Sequence, residues 1–276
     1  MNPTLKKTVL FLTIIFLTRF VWARSNIFPS GGRSEGMGNA FISQYDLSSA
    51  FHNQAGLAGF DTLSVMISYE NRYMISELSL RSALIGIPTK TGNFALHFSA
   101  FGPAKWMESN LSLAYAKQLS KNISGGIQIN YFGMVLPEEN KTLSSVGAEL
   151  GFIFRVTPRT FLGIHVANPF SVPFSTASYS EKIPWNLRVG CHYLVSDHFT
   201  LAVEGEKAEG SNPVIKMGME WEAMKNLFFR SGFNSGPSKL FAGLGFRYHF
   251  VKADLAFNYN QYLGTSPVFS LTFDIK

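Results

Sequence analysis

The 276-residue chain is 46% hydrophobic and 14% aromatic, with 26 Phe, yet only 15% charged, below the roughly 25% usual in soluble domains. Its net charge of +6 includes no block of Lys or Arg of the kind that tracks phosphates, so no nucleic-acid partner is expected. The single Cys191 makes neither an intrachain disulfide nor a thiolate metal site. No stretch beyond the first twenty residues approaches the roughly 18 to 20 consecutive apolar residues of a membrane-spanning helix.

Lys6 and Lys7 precede an apolar run from Thr8 to Thr18, and Val21-Trp22-Ala23 supplies a small-residue cleavage pattern. Residues 1–23 therefore read as a signal peptide, which places the protein among exported chains. Removing Lys6, Lys7 and Arg19 leaves 21 Lys and Arg against 18 Asp and Glu, a net +3.

Residues 24–60 lack strand periodicity. They hold Gly31-Gly32, then Gly36-Met37-Gly38, then a helix start at Asp46 followed by Leu47-Ser48-Ser49-Ala50-Phe51. A compact, Gly-rich piece of this size suits a hatch inside a lumen; a periplasmic tail is the alternative.

From Thr62 onward, segments of about ten residues alternate apolar with polar or small side chains. Phe269, Leu271, Phe273 and Ile275 share one face, and Ser270, Thr272 and Asp274 the other. About fourteen such segments are separated by turn signals such as Lys90-Thr91-Gly92-Asn93 and Thr157-Pro158-Arg159. The expected fold is all-β: a transmembrane antiparallel β-barrel of about fourteen strands over 61–276, in the outer membrane and surrounded by its lipid, with both chain ends periplasmic. Tyr69, Tyr115, Tyr131, Tyr193, Trp221, Tyr248 and Tyr259 fall on the apolar face as interfacial girdles.

The opposite face carries charges of both signs. Arg188, Glu204, Glu206, Lys216, Glu220 and Glu222 fall at two-residue spacing on neighbouring segments, so a lumen cluster is expected, as a salt-bridged wall anchoring the hatch or as a gate. His97, His192 and His249 read as polar lumen lining. His-x-x-x-His does not occur, and Ser34, Ser48 and Ser49 of the Gly-rich segment read as helix-capping or turn residues, so no metal site, catalytic residue or cofactor is expected. Gly102-Pro103 ends a strand, either as an ordinary loop start or as the mark of a lateral opening.

Gly32-Arg33-Ser34-Glu35-Gly36-Met37-Gly38-Asn39-Ala40-Phe41, followed by Ser49 to Ala58, resembles the N-terminal signature of the PorV/PorQ-like family of FadL-like barrels. Asn53, Ala55, Gly56 and Leu57 match that family's Asn-Pro-Ala-Gly-Leu block, with Gln54 in place of the proline. Leu113 to Ser120, Ile183 to Gly190 and Arg230 to Pro237 also resemble the family. The resemblance implies a fourteen-stranded barrel with an N-terminal hatch. It implies one of two functions: assistance to type IX protein secretion or surface display by binding cargo or translocon, or, as in FadL, a passive conduit for hydrophobic small molecules. A structural barrel with a sealed lumen is a third possibility. The longest loop, Asn168 to Pro184, offers Phe170, Phe174 and Tyr179 as surface contacts.

Overall fold

The computed structural model describes residues 30–136, 141–170, 173–175 and 180–275; the expected signal peptide lies outside them. The wall begins with β1 (Leu63–Asn71), β2 (Ser79–Pro88), β3 (Asn93–Phe101), β4 (Glu108–Ser120), β5 (Ile123–Leu136), β6 (Lys141–Thr157) and β7 (Thr160–Ala167). A short hairpin, β8 (Pro173–Ser175) and β9 (Ser180–Lys182), interrupts it. The wall resumes with β10 (Asn186–Ser196), β11 (Phe199–Ala208), β12 (Val214–Met224), β13 (Leu227–Ser235), β14 (Ser238–Tyr248), β15 (Val251–Asn260) and β16 (Gly264–Ile275). Each of these fourteen strands is antiparallel to its neighbours, and β1 closes on β16 with Leu63 opposite Ile275. Closure removes the unpaired edges that an open sheet would present to hydrocarbon.

Side-chain alternation divides the wall cleanly. Ile85, Leu96, Leu113 and Ile129 lie in one row across β2 to β5, pointing outward; Leu84, His97, Ser112 and Asn130 form the adjacent row, pointing inward. The outward row continues into an apolar belt around the barrel that no protein element covers. Such a continuous exposed surface is compatible with lipid and not with water. All of the expected girdle residues face outward, and Trp221, Tyr248 and Tyr259 are each at least half exposed. The protein is thus an outer-membrane barrel. The end that carries both barrel termini has turns of two to four residues, while the other carries longer connections, the longest from Asn168 to Trp185. The first end is periplasmic and the second extracellular.

Residues 30–60 run inside the barrel. A single helical turn, α1 (Gly32–Gly36), lies against β13 to β16, and two 3-10 turns follow. The first spans Leu47–Phe51, where the Asp46 side chain accepts from the Ser48 N–H at 2.8 Å. The second spans Gln54–Gly59 against β3 to β6, with Asn53 accepting from the Ala55 N–H at 3.1 Å. Leu47, Ala50 and Leu57 pack on Met66, Leu84, Ala95 and Ala114 of the wall, and Met37, Ala40 and Phe41 pack on Ala202. These are patches of a small core shared between segment and wall.

Two wall glycines permit the close approach. A Cβ at Gly163 would overlap the Ile42 carbonyl oxygen, and one at Gly218 would overlap that of Met37. Gly163→Val and Gly218→Val are therefore expected to expel the inner segment while the strand ladder survives. Limited proteolysis should cut between 30 and 60 in the variants and not in the parent, with barrel heat-modifiability in electrophoresis unchanged.

Candidate functional site

Strand register assembles the charged cluster. Arg188 faces Glu206 across β10 and β11, and Glu204 faces Lys216 across β11 and β12. Glu204 is 1% exposed. It accepts from Arg188 Nε at 2.6 Å, from Lys216 Nζ at 3.2 Å and from the Phe41 and Ile42 backbone N–H groups at 3.1 Å each. Arg188 donates onward to the Asn39 carbonyl at 3.2 Å and the His52 carbonyl at 3.4 Å. Glu206 pairs with Lys216 at 2.5 Å. Every charge here has a counter-charge, and the donors include the inner segment's own backbone, so the cluster ties segment to wall.

A second group lies nearer the periplasm. Glu220 binds Arg33 through both oxygens, at 2.7 and 2.9 Å, and Arg230 at 2.6 Å. Arg33 also reaches Asp46 at 2.7 Å, and Arg230 reaches Asp254 at 2.7 Å. Glu222 does not join either group. It sits at the periplasmic rim beside the β12–β13 turn, 3.1 Å from exposed His198. Its parity along β12 is inward, but the strand ends before any partner from the inner segment reaches it. His249 likewise departs from the lumen: it is exposed in the β14–β15 turn with φ of 51°.

The block Asn53, Ala55, Gly56 and Leu57 is fully enclosed. Asn53 Nδ2 donates to the Ile42 carbonyl at 2.7 Å and to the wall carbonyls of Phe152 and Ile164 at 3.1 and 3.4 Å. Ala55 packs on Ile153, and Gly56 leaves no room for a Cβ against the Gln44 carbonyl. Gln54 donates to Glu149 at 2.6 Å, and Glu149 also accepts from Asn130 at 2.7 Å and contacts His165 Nε2 at 2.9 Å. The block faces wall and segment, and none of its four residues lines a cavity described below. Arg33, Glu35, Asp46 and Glu149 complete the polar junction; sequence reasoning missed their role, although a charged triplet within a Gly-rich segment was the available signal.

Two connected spaces lie on the extracellular side of the segment. The larger, about 1660 Å³ including open solvent, is a charged vestibule lined by Glu35, Arg72, Arg188, Glu206, Lys216 and Lys239, among others. Beside it is a much smaller, partly open chamber whose lining sets Phe51, Leu80, Phe101, Phe132, Phe174 and Ile183 beside polar His97, Glu108, Asn110, Gln128 and Glu149. Phe51, Ile183 and Glu149 border both. The chamber roof comes from the β8–β9 hairpin. β6 outruns β7, whose pairing with it starts at Glu149 and Ala167, and the hairpin packs beside the free stretch, joining Phe174 and Ile183 to Phe132, Met134 and Leu143.

The expected surface contacts on the loop are thereby separated. Phe170 is 82% exposed, but Phe174 is 2% exposed because the hairpin folds inward and spends it on the chamber; Tyr179 lies outside the described residues. Gly102-Pro103 is a loop start: β3 and β4 stay paired from Asn93 and Ala116 to Phe101 and Glu108.

Among known proteins, no family profile and no curated sequence matches this chain. The solved structures that resemble it are outer-membrane barrels. The monoaromatic hydrocarbon channel CymD is 14% identical, with 92% of this chain and 99% of that one covered and a TM-score of 0.66. The toluene transporter TbuX of Ralstonia pickettii is 12% identical, covering 91% and 100%, with a TM-score of 0.63. A FadL homologue of Pseudomonas aeruginosa is 13% identical, covering 90% and 98%, with a TM-score of 0.61. At these identities the likeness is one of fold alone.

Removing Glu204 leaves buried Arg188 without its bonded carboxylate and Lys216 with Glu206 alone. Glu204→Ala is expected to cost about 3–5 kcal/mol of stability, read by urea unfolding in lipid, whereas Glu222→Ala at the rim leaves the midpoint unchanged. His52 gives a pH signature. Burial pushes its imidazole well below the usual range, and the nearby Arg188 and Lys216 cations push it the same way. The docked ring resists protonation while a released ring titrates near about 6.5, so docking is fully supported above that pH and weakens as pH falls below it. Protease access to 30–60 should rise between pH 7 and pH 5, and His52→Asn should flatten that rise.

Proposed function

We propose that the protein is a conduit that takes up small hydrophobic molecules from the extracellular side. The observation that carries this reading is the chamber between Phe51 and the hairpin, where aromatic and aliphatic side chains supply most of the lining surface beside a few polar groups. Concave sites lined by apolar groups with a few polar ones are where small molecules bind. The fold likeness to channels described as carrying monoaromatic hydrocarbons or toluene favours the same substrate class. A sealed structural barrel has no use for such a chamber. Neither the architecture nor the fold likenesses support the secretion role that the sequence resemblance implies, and Phe174 is turned away from any cargo.

Equilibrium binding of a panel of monoaromatic compounds to the barrel in lipid nanodiscs tests the proposal. At least one compound is expected to bind saturably, and Ile183→Trp, which fills the chamber, should weaken it by about tenfold or more while the barrel stays heat-modifiable. Saturable binding that ignores Ile183→Trp would place the ligand elsewhere, and no binding at all would remove the reading.

A further inference from the structure

The floor of the chamber is not apolar. His97 on β3 and Gln128 on β5 both line it, each 2% exposed. Neither ring nitrogen of His97, nor the Gln128 Oε1, makes a hydrogen bond of ordinary geometry, although the two side chains lie close enough to interact with each other. Their neighbours are fully engaged. Gln128 Nε2 donates to Asn130 Oδ1 at 2.8 Å, Ser112 Oγ donates to the same oxygen at 2.5 Å, and Asn130 Nδ2 donates to Glu149 at 2.7 Å. Among the groups that line the chamber, the network therefore leaves over the Gln128 carbonyl oxygen and the His97 imidazole, and the Phe51 ring packs on that imidazole with centroids 4.6 Å apart.

We propose that this pair recognises a hydroxyl, so that the chamber selects a small aromatic alcohol or phenol over a plain hydrocarbon. The proposal rests on the chamber being the binding site and names its substrate class. A neutral imidazole offers one N–H donor and one acceptor, while an amide oxygen only accepts. A hydroxyl matches that set, because it accepts from the His97 N–H and donates its own proton to Gln128 Oε1. A hydrocarbon leaves the two groups only their poorly aligned contact with each other, which a hydroxyl between them replaces with two good hydrogen bonds. A carboxylate has no proton to give Gln128, and it would enter beside the carboxylates of Glu108 and Glu149, which also line the chamber. The aromatic body of the ligand lies among Phe51, Phe101 and Phe132.

The test compares four probes of one skeleton on the nanodisc-embedded protein: toluene, p-cresol, p-methylanisole and p-toluate. The expected order places p-cresol about tenfold or more above toluene, in keeping with one to two net hydrogen bonds. The methyl ether accepts but cannot donate, so it should fall with toluene, and p-toluate should not bind. Gln128→Met and His97→Phe should each remove the preference for p-cresol over toluene. If toluene and p-cresol bind equally well, and Ile183→Trp weakens both, the hydroxyl site is wrong while the conduit stands. If no probe binds, both readings fail. The ether comparison uses the parent protein alone and so holds even where a variant does not fold.

Discussion

A fourteen-stranded wall encloses more space than its own side chains can fill, and residues 30–60 occupy it. The contact on which this arrangement depends is the one between Glu204 and the backbone N–H groups of Phe41 and Ile42, because it joins a wall charge to the turn where the segment crosses the lumen. A buried carboxylate is costly unless every lone pair is used. Here Arg188 and Lys216 supply the counter-charge, and the segment supplies the remaining donors. The charge thus favours the docked segment over an empty lumen, in which Arg188 would lose its bonds to the Asn39 and His52 carbonyls as well.

With the segment in place, the two halves of the lumen differ in chemistry. Toward the periplasm, Arg33, Glu220, Arg230 and Asp254 form a continuous ionic chain. Toward the outside, the charged vestibule opens sideways into the chamber under the β8–β9 hairpin. Polar walls keep the barrel interior wet, so an apolar molecule gains most by leaving that water for the pocket of Phe51, Phe132 and Phe174. The chamber exists because β6 continues past β7, which leaves a stretch of wall whose inner face only a folded-in loop can cover.

Much of this was legible in the sequence, for a reason rooted in covalent geometry. A strand points alternate side chains to opposite faces, so lipid on one side and water on the other leave a period of two in the chain. Arg188, Glu204, Glu206, Lys216 and Glu220 could all be placed on the lumen face on that basis alone, but parity did not show that Glu220 belongs to a separate group with Arg33 and Arg230. Glu222 obeys the same parity, but parity says nothing about height, and it sits at the rim. His249 was misplaced because the strand ends one residue before it, at Tyr248, and His249 opens the turn. The inward fold of Phe174 left no periodic trace, since a short hairpin packed by a handful of apolar contacts has the composition of an exposed loop. The Asn53 block was recognisable as a motif, yet its task of capping a 3-10 turn while gripping two wall carbonyls depends on strands about a hundred residues later in the chain.

We propose that the inner segment closes the axial path. Planar-bilayer recording of the purified protein tests it most directly. The account predicts no steady ion conductance under moderate voltage, because Glu204, Arg188 and the segment they hold span the lumen. A stable, open-channel current from the unmodified protein would contradict it.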